Sequence, residues 1–177
     1  ALDLDPASPE NPLTRAEIHR REEKPSKELE ALLEAISLAP PCALEQMSRL
    51  GQLQETKLKV LERITAMADE RENDPFISTV KAKLLMNQRD FDSAERTMRQ
   101  VLTEEPRLMP ARRLLGEILL ADRDANQRKD VEDILTITPQ PLYRCTACQS
   151  TPPTYSWHCP ACNSVGTITV SDIDAQK

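Results

Sequence analysis

"YRCTACQSTPPTYSWHCPACNSVGTITV", residues 143–170, holds four of the five cysteines, both tyrosines, the single tryptophan and one of the two histidines of a 177-residue chain. Cys145, Cys148, Cys159 and Cys162 form C-x2-C-x10-C-x2-C. A two-residue gap lets the backbone turn as a tight knuckle with both sulfurs facing one point. Two such knuckles supply the four thiolates of a tetrahedral metal site. The ten-residue link is long enough for a β-hairpin. A tail of about 35 residues buries too little apolar surface to fold unaided, since domains below roughly 40 residues usually need a metal or disulfides. A structural zinc site contributes on the order of 10 to 16 kcal/mol of apparent binding energy, which would supply the deficit.

Zinc and a single iron both suit four thiolates, and the residues leave the choice open. Disulfide pairing is the weaker alternative, because it belongs to small secreted chains with regular cysteine spacing, whereas here four cysteines cluster and Cys42 lies far away. Four thiolates close the coordination shell, so the expected role is structural, with electron transfer as the alternative if iron is native. His158, beside Cys159, is expected to point away from the ion. Tyr143, Tyr155 and Trp157 are expected to pack over the cluster or against the last helical hairpin. Cys42 reads as a small buried apolar residue, and His19 is assigned no role.

Outward from the tail, "TITPQPL" at 136–142 breaks the helical pattern with two prolines, which remove donors and fix the chain direction. The division expected is therefore residues 1–140, helical, and residues 141–177, the four-cysteine module. Only three glycines occur, too few for phosphate-cradling loops or many tight hairpins. Leu29, Leu32, Leu33 and Ile36 form one apolar stripe of helical spacing. Leu58, Leu61 and Ile64 form a second; Phe91, Ala94, Met98, Val101 and Leu102 form a third. Asp74-Pro75 puts a capping side chain before a first-turn proline, Pro41 opens another helix, and Thr14 with Glu17 resembles a capping box. The run "RAEIHRREEKPSKE", 15–28, reads as a solvated helix face and linker.

Two segments align at a spacing of 34 residues, "PFISTVKAKLLMNQRDFDSAERTMRQVLTEEP" from Pro75 and "MPARRLLGEILLADRDANQRKDVEDILTITPQ" from Met109. Ala82 then matches Gly116, Leu85 matches Leu119, and Val101 matches Leu135. That period resembles the tetratricopeptide repeat, a helix-turn-helix unit. Small residues at Ala82, Gly116 and Ala94 would let paired helices approach closely. Arg128 stands where the later copy would repeat Ala94. Weaker units run from Pro41 to about Asp74 and from about Asn11 to Pro40, giving four helical hairpins. The fold class expected is mostly α, tetratricopeptide-like hairpins stacked as a superhelix, clearest over 75–140, followed by a small β-rich rubredoxin-like or zinc-ribbon module. Stacked repeats usually bind other proteins.

Net charge is −6, and all of it lies in residues 1–142, so no basic footprint invites nucleic acid. No apolar run approaches the roughly 20 residues of a membrane span. There is no nucleophile elbow, no metal-binding histidine pair and no Cys-His nucleophilic arrangement outside the cluster, so an enzyme is not expected.

Repeats followed by "YRCTACQ" and "YSWHCPAC" resemble the lipopolysaccharide assembly protein B family of Gram-negative bacteria, on Tyr143, Cys145, Cys148, Trp157, Cys159, Pro160 and Cys162. The resemblance implies a non-enzymatic adaptor whose full-length form is held by an N-terminal transmembrane anchor, with its body at the cytoplasmic face of the inner membrane. It implies protein partners, namely a membrane AAA protease and lipopolysaccharide synthesis or transport proteins, through which the family promotes degradation of the deacetylase of the lipid A pathway. It implies one zinc or iron ion on Cys145, Cys148, Cys159 and Cys162, with the module packed on the repeats. Membrane contact is expected only through the anchor, which this chain lacks, and homo-oligomerisation is left open. Gln149 and Asn163 stand where a glycine often follows each rubredoxin knuckle. Asparagine tolerates the left-handed conformation better than most residues.

Overall fold

The computed structural model describes residues 7–53, 57–121 and 141–171. Among them are seven helices, α1 (Glu10–Arg21), α2 (Pro25–Leu38), α3 (Cys42–Gln52), α4 (Lys57–Glu70), α5 (Pro75–Asn87), α6 (Phe91–Glu104) and α7 (Met109–Ala121), and two short strands, β1 (Tyr143–Cys145) and β2 (Ile168–Val170). The described residues fall into two compact units: those of 1–60 together with 141–177, and those of 61–140. The change of composition at 141 thus marks where the module begins in sequence, whereas compactness groups the module with α1, α2 and α3.

In the first unit α1 and α2 form a hairpin, and α3 packs on α2. Leu29, Leu32, Leu33 and Ile36 of α2 are all buried, as their spacing requires. The charged run of 15–28 is only partly a wetted face. Exposed pairs such as Arg15–Glu34 at 2.6 Å decorate it, but Ala16 and Glu28 are buried. Glu28 accepts from Nε of Arg49 at 2.6 Å, so a charge on α2 meets a charge on α3 inside the packing. Glu17 lies 3.7 Å from the same guanidinium. Its carboxyl is held down to about 2, chiefly by hydrogen bonds from Arg20, against an opposing effect of burial and with further help from Arg21. Helix α1 begins earlier than the Thr14/Glu17 pattern suggests. Pro9 precedes the first turn, the Ser8 hydroxyl accepts from the Glu10 N–H at 3.3 Å, and Thr14 sits one turn inside, donating to the Glu10 carbonyl.

In the second unit α5 packs against α6 and α7, and α6 against α7. Phe76, Ile77, Ser78, Thr79, Val80, Ala82 and Leu84 of α5 are buried, which places neighbours on more than one face of that helix. Asp74 caps α5: its carboxylate accepts from the N–H groups of Phe76 and Ile77 at 3.0 and 3.1 Å, and Pro75 occupies the first turn. Helix α6 presents Ala94, Met98 and Val101 as one buried stripe. Ala82 and Gly116, expected to match across the repeat, are both buried. Lys83 and Glu117, themselves 34 positions apart, meet at 2.7 Å. Among the described side chains of α4, Val60, Ile64 and Ala68 are buried and Leu61 is half-buried, so the stripe expected there keeps Ile64, while Leu58 lies outside the described side chains. Leu135 and Arg128 lie outside the described residues.

Three helices end alike. In α1 the Lys24 N–H donates to the His19 carbonyl, in α4 Asn73 donates to Ala68, and in α5 Asp90 donates to Leu85. These bonds close the last turn only if the residue before the donor is left-handed. Glu23, Glu72 and Arg89 occupy that position with φ of 55°, 52° and 65°. A chain with three glycines makes these turns from ordinary side chains, at a cost of roughly 1 to 2 kcal/mol each. Among the described residues no helix is long and apolar enough to cross a membrane.

Candidate metal centre

The two knuckles repeat one sequence, C-x-A-C-x-S, at Cys145–Ser150 and Cys159–Ser164, and fold the same way. In the first, the Gln149 N–H donates to the Cys145 carbonyl at 2.9 Å and the Cys145 N–H to the Ser150 carbonyl at 2.8 Å. In the second, Asn163 donates to Cys159 at 2.8 Å and Cys159 to Ser164 at 2.9 Å. Closing so short a loop forces one residue across to positive φ. Gln149 at 62° and Asn163 at 59° are those residues, at the two positions where the sequence offers no glycine. The strands β1 and β2 pair antiparallel, with Cys145 opposite Ile168, and tie the first knuckle to the end of the module.

The four sulfurs converge within 4.8 Å of one another. Cys145 Sγ lies 3.8 Å from Cys162 Sγ, and Cys148 Sγ lies 3.7 Å from Cys159 Sγ. Thiolates held about 2.3 Å from a central ion at the corners of a tetrahedron stand about 3.8 Å apart, so the donor set fits a tetrahedral metal ion. All four cysteines are free of disulfides, as is Cys42. Cys145, Cys148, Cys159 and Cys162 would hold the ion, which would supply the cross-link that the small core lacks. That core consists of Tyr143, Cys145, Cys159 and Ile168, with Leu142, Tyr155 and Val170 packed on it. Tyr143 and Tyr155 meet edge to face with ring centroids 5.9 Å apart.

Three hydroxyls, none of them singled out in the sequence reading, face the sulfurs. Ser150 Oγ lies 3.1 Å from Cys148 Sγ and 3.3 Å from Cys159 Sγ. Ser164 Oγ lies 3.3 Å from Cys162 Sγ, and Thr167 Oγ1 lies 3.2 Å from Cys145 Sγ. The signal for the serines was present as Cys-x-Ser, twice. The thiols respond unequally. The Ser150 hydroxyl, then the Cys162 and Ala161 amides, outweigh desolvation and bring Cys159 down to about 6. The Thr167 hydroxyl, aided by the Cys148 and Ala147 amides, lowers Cys145. Ser150 also pulls Cys148 down, but the neighbouring Cys162 and Cys145 thiols and burial outweigh it, and that thiol is raised. The thiolate is the ligand, so an ion binding here would displace the protons of any thiols still protonated.

His158 takes no part in the cluster. It forms a bridge to Val165, and its Nδ1 lies 2.9 Å from Glu10 Oε1 on α1. Cys42 is buried on α3, and burial pushes its thiol up to about 12, which makes it a neutral apolar filler. His19, half-buried on α1, lies 3.5 Å from Glu22 through its Nδ1. No protein-family model matches the chain, and no curated protein is significantly similar to it.

Proposed function

We propose that this chain is a non-enzymatic adaptor: its helical hairpins dock partner proteins, and its module is a structural site for one zinc or iron ion. The observation that carries the reading is the closed sulfur shell. Four thiolates fill a tetrahedron and leave no position for water or substrate, so the ion's contribution is to fold the module. The hairpins read as 34-residue tetratricopeptide-like repeats, a reading supported by the contact between Lys83 and Glu117 one period apart. By resemblance to the lipopolysaccharide assembly protein B family, the partners are a membrane AAA protease and proteins of lipopolysaccharide synthesis or transport. The place of action is then the cytoplasmic face of the inner membrane. Affinity capture by the intact chain from a Gram-negative membrane extract tests this. Enrichment of the protease together with a lipid A enzyme is expected, and enrichment of neither overturns the adaptor role.

A second reading, electron transfer by iron, is favoured by the backbone amides that face Cys145 and Cys159, because hydrogen bonds to ligating sulfur tune reduction potentials. Protein produced with ample iron would then be red and bleach reversibly on reduction. Colourless protein with one zinc per chain would remove this alternative.

A further inference from the structure

The first unit contains a cavity of about 220 Å³ between the module and the helices α1 and α3, walled by Tyr155, Trp157, Leu13, Cys42 and the carboxylate-bearing Glu10 and Glu45. We propose that it receives an arginine side chain of a partner protein, with the guanidinium stacked on the aromatic wall and paired with Glu45. The inference rests on the adaptor reading and names the chemistry by which a partner would be held.

The cavity's composition selects the occupant. Aromatic faces and carboxylates together attract a cation, and the planar guanidinium both stacks on rings and forks onto a carboxylate, which an ammonium does not. The charge is available: Glu10 is engaged by His158 at 2.9 Å, while Glu45 is exposed and forms no ion pair among the described residues. The aromatic wall is fixed before anything binds. A Cβ at Gly166, itself at φ 64°, would stand 3.3 Å from Cη2 of Trp157, so the indole lies tightly on that glycine and has little freedom to swing away.

Trp157 is the only tryptophan in the chain, so its fluorescence reports on this wall alone. The intact, metal-loaded chain is titrated with acetyl-Gly-Arg-Gly-amide, with the same tripeptide carrying citrulline, and with free arginine. Saturable change with the arginine peptide, weakening as salt rises, is expected, with citrulline at least about tenfold weaker because it keeps the shape and loses the charge. Glu45→Gln, at an exposed position on α3, should weaken the arginine peptide about tenfold while metal content and far-ultraviolet dichroism stay unchanged. Equal responses to arginine and citrulline overturn the proposal, and this comparison needs no variant. Free arginine binding as tightly as the peptide overturns the assignment to a partner protein. Because the titration uses purified protein and synthetic peptides, its failure is distinct from failure of the membrane-extract capture.

Discussion

The hairpin of α5 and α6 and the module of residues 141–171 solve the same problem with different materials. In the hairpin, Ile77, Val80, Ala82, Ala94 and Met98 have no exposed surface at all, and the apolar contact holds two regular helices whose internal bonds need no help. The module has two three-residue strands and a buried core of four residues, two of them cysteines. Its order comes from four sulfurs that must be brought together. Folding in the hairpin is thus spread over many small contacts, each worth about 1.5 to 3 kcal/mol when a large side chain is fully buried. In the module it would be concentrated in one ion held by the four clustered cysteines.

The largest test of that contrast removes the ion. Cys159→Ser, or strong chelation of the intact protein, should unfold the module, because on the order of 10 kcal/mol of apparent binding energy disappears. Trp157 fluorescence should shift to that of a solvated indole, while far-ultraviolet dichroism keeps the helical signal of the second unit. Loss of both signals together would mean that the hairpin also depends on the ion. Met98→Ala is the converse experiment. It removes a side chain with 0% exposure and should cost about 2 to 5 kcal/mol in urea denaturation, with metal content unchanged. A simultaneous loss of metal would erase the distinction between the two regions.

The two regions were also unequally legible. The cluster of four cysteines could be read directly, since C-x2-C knuckles impose their geometry through the chain itself and need no distant partner. The cap at Asp74 and the stripe of Leu29, Leu32, Leu33 and Ile36 were legible for the same reason: each is a local pattern with one physical meaning. What stayed hidden depends on residues far apart in sequence. Glu28 looks like surface charge until Arg49 arrives from α3. His158 reads only as a residue turned away from the cysteine cluster, and its partner Glu10, 148 residues away, has no local signature. The grouping of the module with α1, α2 and α3 has no local signature. Thr14 and Glu17 misled because the pattern S/T-x-x-E marks a helix start only when no earlier start is available, and Ser8 with Pro9 provides one.

The smallest and sharpest test concerns the left-handed residues that both regions use in place of glycine. Arg89 ends α5 at φ 65°, is exposed, and makes no ion pair among the described residues. Arg89→Gly therefore removes backbone strain of about 1 to 2 kcal/mol and forfeits part of that gain to the greater freedom of glycine in the unfolded chain. A net stabilisation of up to about 1 kcal/mol is expected, read as a higher urea midpoint. Gln149→Gly at φ 62° relieves the same strain but also loses the bond from Gln149 Nε2 to the Thr146 carbonyl at 3.1 Å, worth about 0.5 to 1.5 kcal/mol. The module should then hold its metal with nearly unchanged affinity in a competition against a chromogenic chelator. Asn163→Gly should likewise change little, since asparagine already tolerates φ of 59°. If Gln149→Gly tightened metal binding as much as Arg89→Gly stabilises the hairpin, strain alone would govern both turns, and the side-chain bond across the knuckle would have no part in shaping the site.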